Sequence, residues 1–397
     1  MLKAGVGCSL QELSGSAARD AAEQAMKSAG LGSADWALVF STFPHMEDDF
    51  SPILKAVSGV TGTADVVGSS ALGVLTGLGE IEAEPAVAVL AVSSDSVTAV
   101  PFIVDSTGDG GLTAGGRIGE LFQGAVPKER FLTVLPDPFN VHPELLFKGI
   151  ESKMGEIDIV GASSSLHPGL QQTYQFMGSD VRTGAVSGFM LEGAFKYRIG
   201  VTQGCQPVGI PMTVTHAQDN IIFELDGKPA VTAMMEQVPA RILNERSHLF
   251  YLVFAAFSPD PEDKEIVDGE YLVRNIMGMN EGTGILAVAE NVHEGQVLQF
   301  TVRHPTLARE DLKQMLGRVK GDNSGGGSEG DFKFGLYFSC CARGSSLYGH
   351  KGIDTAYITE ALGDVPLIGF FGNSEFAPLR GVNRLFTYTG VLVLVSE

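Results

Sequence analysis

The sequence predicts an α/β fold of two α/β domains, built from related strand-helix-strand-loop-strand units as internal repeats. Three observations support this prediction. Short apolar runs alternate with segments whose apolar residues recur at helical spacing, small and polar residues follow the runs directly, and the same order of elements occurs three times in 397 residues. Because ligands of α/β proteins bind at such strand ends, these loops are the first place to look for a function.

The first unit begins with the apolar run at residues 36–40, which predicts a short buried strand. Pro52 then predicts a helix start, since proline suits the first helical position. The next predicted strand, at residues 66–68, leads into Ser69 and Ser70, and the run at residues 86–92 closes the unit.

The other two units follow the same order. The second has predicted strands at residues 131–135, 158–161 and 184–191, with three serines at 163–165 after the middle one. The third starts at residue 334, has a second strand ending at Gly369, and closes with residues 390–395. Asp354 is the predicted N-cap of its helix, because aspartate accepts hydrogen bonds from free helix amides.

Matched spacings support a repeated unit. The distance from the end of the first strand to the glycine of the second is 28 residues (40 to 68), 26 (135 to 161) and 31 (338 to 369). The units lie too far apart for a solenoid, so we expect them inside larger domains, at residues 1–225 and 226–397. The glycine- and serine-rich residues 323–330 predict a flexible surface loop within the second domain.

Composition limits the possible partners. Lys and Arg number 27 against 47 Asp and Glu, a formal net charge of −20. Such a charge repels phosphate backbones and anionic lipid surfaces, so we expect no nucleic-acid partner and no membrane association. No apolar stretch approaches the roughly 20 residues of a membrane span, and the first residues do not resemble a secretory signal. We therefore expect a cytoplasmic protein.

The sequence offers no clear metal or cofactor motif. The eight histidines are scattered singly, and neither His-Glu-x-x-His nor Cys-x-x-Cys occurs. Glycine-dense segments at residues 73–79 and 108–111 lack the endings of phosphate-binding loops, so they are interpreted as turns. We expect no metal and no cofactor.

Cys340 and Cys341 stand where a predicted strand ends. Neighbouring residues of a strand face opposite sides, so one of the two thiols at most faces a pocket while the strand continues. Three interpretations remain open: an inert buried cysteine, a thiol that faces a ligand, and a catalytic nucleophile activated by Arg343 or by backbone amides.

Polar side chains gather in the loops of the third unit. Arginine and glutamate held near amides would suit a zwitterion such as an amino acid, because the guanidinium binds a carboxylate and the glutamate an ammonium group. The alternative is an internal salt bridge that fastens the loop to the sheet. The residues concerned are Arg343, Asn373, Glu375, Arg380 and Asn383. Ser69 and Ser70 of the first unit could add hydroxyl groups.

These residues carry a resemblance to the FIST family, whose members pair an N-terminal and a C-terminal FIST domain. The matching pieces are VGSSALG at 67–73, GEIE at 79–82, GCQPVGIP at 204–211, ELDGKPA at 224–230, FSCCARG at 338–344 and GFFGNSEFAP at 369–378. In one place the chain departs from the family, which usually has Gly-Glu where Ser374 precedes Glu375. A side chain at that turn restricts the backbone φ, so the departure bears on the geometry of the pocket that the family implies.

The resemblance implies a sensory protein that binds a small molecule, with amino acids as one candidate, and it implies no catalytic residue. Family members are often fused to a signalling output domain, for which this chain has no room, so we expect a separate signalling partner. Two alternatives stay open: an enzyme that uses Cys340 or Cys341, and a protein-binding adaptor. The expected ligand-binding residues are Gly68, Ser69, Ser70, Cys340, Cys341, Arg343, Gly344, Gly369, Phe371, Asn373, Glu375, Arg380 and Asn383.

Overall fold

The computed structural model describes residues 1–42, 50–124, 129–165, 172–244, 249–321 and 332–397. The chain divides into two compact units, each made of separate chain segments. The first unit holds residues 1–201, 312–385 and 390–397, and the second holds residues 202–311 and 386–389. A division of the sequence near residue 225 stays a prediction, and it does not coincide with these units. The predicted flexible loop at 323–330 lies outside the described residues.

The N-terminal part of the first unit supplies six strands and two helices. They are β1 (Lys3–Ser9), α1 (Ser14–Ala29), β2 (Trp36–Ser41), α2 (Ser51–Thr61), β3 (Val66–Ser70), β4 (Gly73–Thr76), β5 (Gly79–Glu82) and β6 (Val87–Ser93). Helix α1 buries a face of alanines, among them Ala18 and Ala25. Small side chains allow the helix to approach β1 closely: a Cβ on Gly7 would lie 2.1 Å from the Ala21 carbonyl oxygen.

The next segment repeats this order. Its elements are β7 (Val97–Asp105), α3 (Leu112–Phe122), β8 (Glu129–Pro136), α4 (Pro143–Met154), β9 (Ile159–Ala162), β10 (Gln175–Met177), β11 (Asp180–Arg182) and β12 (Ala185–Gly193). Pro143 occupies the first turn of α4. Proline suits this position, because its fixed φ is helical and its missing N–H would have no partner in the first turn.

The middle of the chain has a different order of helices and strands. It contains β13 (Lys196–Gln203), β14 (Cys205–Pro207), β15 (Met212–Gln218), β16 (Ile221–Leu225), β17 (Lys228–Pro229), α5 (Ala230–Gln237), α6 (Ala240–Leu243), α7 (Leu249–Leu252), β18 (Val253–Phe257), β19 (Leu272–Asn280), β20 (Ile285–Val288) and β21 (Val297–Arg303). Strands β14 to β21 form one sheet in the second unit, and its strands pair antiparallel throughout the described residues. Its core includes Phe300 and Met234.

The C-terminal segment returns to the first pattern. It comprises α8 (Pro305–Lys320), β22 (Phe332–Cys340), α9 (Gly344–Tyr348), α10 (Ile353–Leu362), β23 (Leu367–Gly372), β24 (Glu375–Leu379), β25 (Val382–Phe386) and β26 (Thr389–Ser396). Within the described ranges, no helix combines the length and the apolar character needed to cross a membrane.

Among the described residues, the first unit contains three six-stranded sheets of matching order. They read β1-β6-β2-β3-β10-β11, β7-β12-β8-β9-β24-β25 and β13-β26-β22-β23-β4-β5. In each sheet the two central strands run parallel, and the closing strand of the same segment pairs antiparallel with the first of them. The last two strands of each sheet are a hairpin from another segment. The segments predicted as loops thus contain hairpins. The hairpin of the second segment joins the first sheet, that of the third segment joins the second sheet, and that of the first segment joins the third sheet.

The parallel pairs meet at matched glycines. Gly68, Gly161 and Gly369 lie opposite Val39, Val134 and Tyr337. A Cβ on these glycines would lie only 1.7, 2.1 and 1.7 Å from the carbonyl oxygens of those partners. Gly68 and Gly369 were expected to bind a ligand. In the described structure they allow the two parallel strands to approach closely.

Apolar layers hold the first unit together. Each sheet has helices on one face, and the opposite faces pack together through aromatic side chains. Phe40 and Phe370 have ring centroids 4.6 Å apart, and Trp36 lies 5.1 Å from Phe189 and 6.0 Å from Phe334. These contacts connect all three sheets, so the strand ends of different sheets lie near one another.

Candidate ligand site at the strand ends

Ser165 connects the strand ends of all three sheets. Its Oγ donates a hydrogen bond to the Phe371 carbonyl oxygen and accepts one from the Leu72 amide at 2.8 Å. Its carbonyl oxygen accepts a hydrogen bond from Ser70 Oγ at 3.1 Å. These residues follow or end β9, β23 and β3, so one serine joins three segments of the chain.

Ser163 makes a second connection from β9 to the segment after β23. Its amide donates to the Ser374 carbonyl oxygen at 2.9 Å, its carbonyl accepts from the Asn373 amide at 3.0 Å, and its hydroxyl accepts from Ser374 Oγ at 3.0 Å. Ser374, where the family usually has glycine, is not among the residues with positive φ. Its side chain therefore contributes a contact without the strain expected of a left-handed turn.

We call this group the strand-end cluster: Ser69, Ser70, Ser163, Ser164, Ser165, Phe371, Asn373 and Ser374. Most of its side chains are buried, whereas Asn373 is exposed. Ser69 Oγ is fully buried and has no hydrogen-bond partner among the described residues. An unmet buried hydroxyl costs about 1–3 kcal/mol. The serines at 163–165, noted in the sequence but not among the expected ligand residues, are the centre of the cluster.

Arg343 lies in a buried ion pair. Its Nε and Nη2 each lie 2.9 Å from an oxygen of Asp354, and both side chains are 1% exposed. Tyr337 and Tyr348 donate hydrogen bonds to the same carboxylate at 2.8 and 2.7 Å. The prediction that Asp354 caps its helix is wrong: Gly352 holds the N-cap position of α10, and the Asp354 carboxylate is the counterion of a buried guanidinium.

The electrostatics of this pair favour both charged forms. Burial acts to raise the pKa of Asp354, but the Arg343 guanidinium and the hydrogen bonds from Tyr348 and Tyr337 together outweigh burial and hold that pKa below its ordinary value. Burial acts to lower the pKa of Arg343, and the Asp354 carboxylate, with Tyr348 and Tyr337, more than offsets it. Nη1 of Arg343 has no hydrogen-bond partner in the described part of the chain.

Glutamates of the β4–β5 hairpin attach it to the helices after β22. Glu80 accepts hydrogen bonds from the amides of Gly352 and Thr355 at 2.9 and 3.0 Å. Glu82 accepts from the Ser345 amide at 3.0 Å and from its hydroxyl at 2.6 Å. Burial, with the Asp354 charge second, raises the pKa of Glu80 to about 7. Sequence reasoning quoted Gly79-Glu80-Ile81-Glu82 as a family piece but gave these carboxylates no role.

Gly344 and the cysteines lie beside the strand-end cluster. Gly344 has φ +55°, and a Cβ there would lie 2.8 Å from Glu82 Oε1 and 2.9 Å from the Phe371 ring. Cys340 pairs with Gly372 in the parallel register, and the Cys341 amide donates to the Gly372 carbonyl oxygen. Cys340 is 4% exposed and Cys341 half-buried. Among the described residues, no three His, Cys, Asp or Glu side chains form a metal-binding group.

The remaining expected residues divide between the two ends of β9. Glu375 is fully buried and pairs with Ala162 at the C-terminal end of the strand. Asn383 lies at the other end: its Oδ1 accepts from the Ile159 amide at 2.8 Å, and its Nδ2 donates to Glu151 and to the Ile157 carbonyl. Arg380 is exposed in the turn before β25, with φ +52°. The structure therefore brings Asn373 and Glu375 to the cluster and separates Asn383 from it.

Comparison with known families gives two matches along the chain. The FIST N domain matches residues 35–228, and the FIST C domain matches residues 233–378. The sequence pieces quoted above fall within these two ranges, except that ELDGKPA at 224–230 extends two residues beyond the first match. The border between the matches, at residues 228–233, does not coincide with the borders of the compact units at residues 201 and 311.

Similar proteins occur in mycobacteria. "Uncharacterized protein Rv0628c" of Mycobacterium tuberculosis (strain ATCC 25618 / H37Rv) is 29% identical over 396 residues and covers 100% of both chains. "Uncharacterized protein Mb0898c" of Mycobacterium bovis is also 29% identical, over 100% of this chain and 99% of its own. The crystal structure of a cyanuric acid hydrolase from A. caulinodans matches 48% of this chain and 70% of the hydrolase chain, at 10% identity. The TM-score of this match is 0.27, which is too low to support an inference.

Proposed function

This chain belongs to the FIST family, and on that premise we propose that it is a cytoplasmic small-molecule sensor that acts through a separate signalling partner. FIST domains are associated with sensory and signal-transduction roles. The proposal assigns the ligand to the strand-end cluster of the first unit.

One observation carries the assignment: Ser165 joins the ends of strands from three sheets. Ligands of α/β proteins bind beyond the carboxyl ends of parallel strands, where backbone groups are not used by the ladder. A molecule bound there would touch segments that are more than 200 residues apart in sequence. Its binding would thus change contacts between sheets, which is what a sensor requires of a ligand.

The chemistry of the cluster favours a small polar ligand. Serine hydroxyls, backbone amides and the exposed Asn373 side chain offer neutral donors and acceptors. Amino acids remain one candidate class, although the guanidinium of Arg343 is engaged by Asp354 through two of its nitrogens. A carboxylate ligand would therefore depend on the hydroxyl groups and the Asn373 side chain of the cluster rather than on that guanidinium.

A thermal-shift screen of the full chain against amino acids and common metabolites tests the proposal. A ligand at about a hundred times its Kd adds about 2.7 kcal/mol to the free energy of unfolding, which gives a clear shift. Isothermal titration then compares wild type with Asn373→Ala, in which an exposed amide is lost from the cluster. Asn244→Ala, which changes another exposed asparagine in the second unit, is the control.

We expect weaker binding in Asn373→Ala and unchanged binding in Asn244→Ala. A panel with no binder would overturn the sensor proposal and leave the adaptor as the better hypothesis. A ligand that loses affinity only in Asn244→Ala would move the site out of the first unit.

A further inference from the structure

We infer that a cleft lined by Asp137 binds a small organic cation that carries hydroxyl or amide groups. The inference goes beyond the proposed function, because the cleft is a second site that shares no lining residue with the strand-end cluster. Its volume is about 410 Å³, within the range of small-molecule sites. Asp137 follows directly after β8, and the other lining residues include Ser106, Asn140, Gln172 and Thr183.

Within the part of the chain that the structure describes, the Asp137 carboxylate has no cationic partner. The side chain is 1% exposed, and across the described residues no Lys, Arg or His forms an ion pair with it. Its Oδ1 accepts hydrogen bonds from the amides of Phe139 and Asn140, at 2.7 and 3.1 Å, and from Asn140 Nδ2. Its Oδ2 accepts from Thr173 Oγ1 at 3.0 Å and from the Gly184 amide at 3.3 Å. These five hydrogen bonds come from neutral groups, so none of them supplies a countercharge to the carboxylate.

Neighbouring groups reinforce the preference for a cation. Arg182, next to Thr183 in the chain, is engaged by Asp105 and Asp180 at 3.1 and 2.9 Å, so that trio carries a net charge of −1. The amides at the start of α3 do not offer an anion site, because Asp109 accepts from Gly111 and Thr113. An anionic ligand would meet net negative charge in the cleft, whereas a cation would gain from it.

A chain of hydrogen bonds leads from the cleft to the strand-end cluster. Asp137 accepts from Thr173 Oγ1, which accepts from Gln175 Nε2 at 3.1 Å. The same Nε2 donates to Ser164 Oγ at 3.2 Å. Asp137 is therefore linked through Thr173 and Gln175 to Ser164, which stands in the chain between the two serines that join the sheets.

Three ring molecules of nearly equal shape test the charge preference: glucosamine, glucose and glucuronate, with charges of about +1, 0 and −1 at neutral pH. Titration calorimetry of the full chain should find the Kd rising in that order. Removing Asp137 itself would release five hydrogen bonds and endanger the fold, so the exposed Gln172 is changed instead. Gln172→Lys adds a positive charge to the cleft and should weaken glucosamine binding by about tenfold.

Gln123→Lys is the matched control. Gln123 is also exposed and follows the C-terminal end of α3. The length of α3, about 16 Å, separates Gln123 from the N-terminal end of the helix, which lies near the cleft. It should leave the Kd for glucosamine unchanged. The inference is overturned if wild type does not bind glucosamine at millimolar concentration, if glucuronate binds as well as glucosamine, or if Gln172→Lys binds like wild type. Any of these results would leave the sensor proposal standing, because that proposal places its ligand at the strand-end cluster.

Discussion

Arg343 and Asp354 form a two-point ion pair inside the first unit, with both nitrogen–oxygen distances at 2.9 Å and both side chains 1% exposed. The pair connects the end of β22 to the first turn of α10. Since each charge is removed from water, the two residues depend on each other far more than a surface pair would.

Asp354→Asn should lower the free energy of unfolding by about 3–5 kcal/mol, because it leaves the Arg343 guanidinium buried without a counterion. Urea titration followed by circular dichroism measures the loss. Glu84→Gln is the control: the Glu84–Lys351 pair is exposed, and its loss should cost less than about 1 kcal/mol. Equal effects of the two changes would contradict a special role for the buried pair.

Glu80 should make stability depend on pH. The pKa of Glu80 is raised from 4.5 to about 7 in the folded protein, so the folded state binds more protons than the unfolded state between these values. Its contribution to stability is complete below pH 4.5 and is lost as the pH rises through 7. Relative to Glu80→Gln, the wild-type free energy of unfolding should fall by about 3 kcal/mol across this window.

Glu84→Gln again provides the comparison, since its carboxylate is on the same segment but exposed. Its curve of unfolding free energy against pH should run parallel to wild type from pH 4.5 to 7. A wild-type curve parallel to that of Glu80→Gln would show that the buried carboxylate does not titrate in this range.

Gly369→Ala tests the close contact between the parallel strands. The new Cβ would meet the Tyr337 carbonyl oxygen at 1.7 Å, so the pair must separate, at a cost of about 3 kcal/mol or more. Gly59→Ala is the opposite case, because Gly59 lies on the exposed face of α2 with nothing within 4 Å. It should stabilise by about 0.5–1 kcal/mol. Comparable melting temperatures for the two variants would contradict the contact.

Cutting the chain between the two FIST matches should prevent folding. A fragment of residues 1–228 lacks β23 and β24, which pair with β4 and β9. We expect it to be insoluble or without a cooperative melting transition. In contrast, replacing residues 202–311 by a short Gly-Ser linker should leave a folded first unit, since Thr202 Oγ1 lies 2.6 Å from Asp311 Oδ2 and the two ends are adjacent. A folded 1–228 fragment would contradict the exchange of hairpins.

Local patterns were sufficient to predict the strands and the helix of a strand-helix-strand unit. The apolar run before Ser41, the helix start at Pro52 and the glycine of the second strand together specify one strand-helix-strand unit, and the structure has each of them. The hairpins were not predicted, because β4 is only four residues long and its partner β23 is nearly 300 residues away. No periodicity within Gly73–Thr76 encodes that pairing.

The candidate site was predicted in part. The sequence indicated strand ends and named Ser70, Phe371 and Asn373, but it could not reveal that Ser165 connects them. Asp354 was interpreted as a cap because aspartate near a helix start usually is one. Its partner Arg343 is 11 residues earlier, and only the fold brings the two side chains together.

Hydrogen exchange of the full chain, with and without the first ligand confirmed by the screen, tests the central claim most directly. The account predicts slower exchange at the strand ends, in peptides that cover residues 66–72 and 371–375, with no change in residues 212–225 of the second unit. Protection confined to the second unit, or no protection at the strand ends, would contradict it.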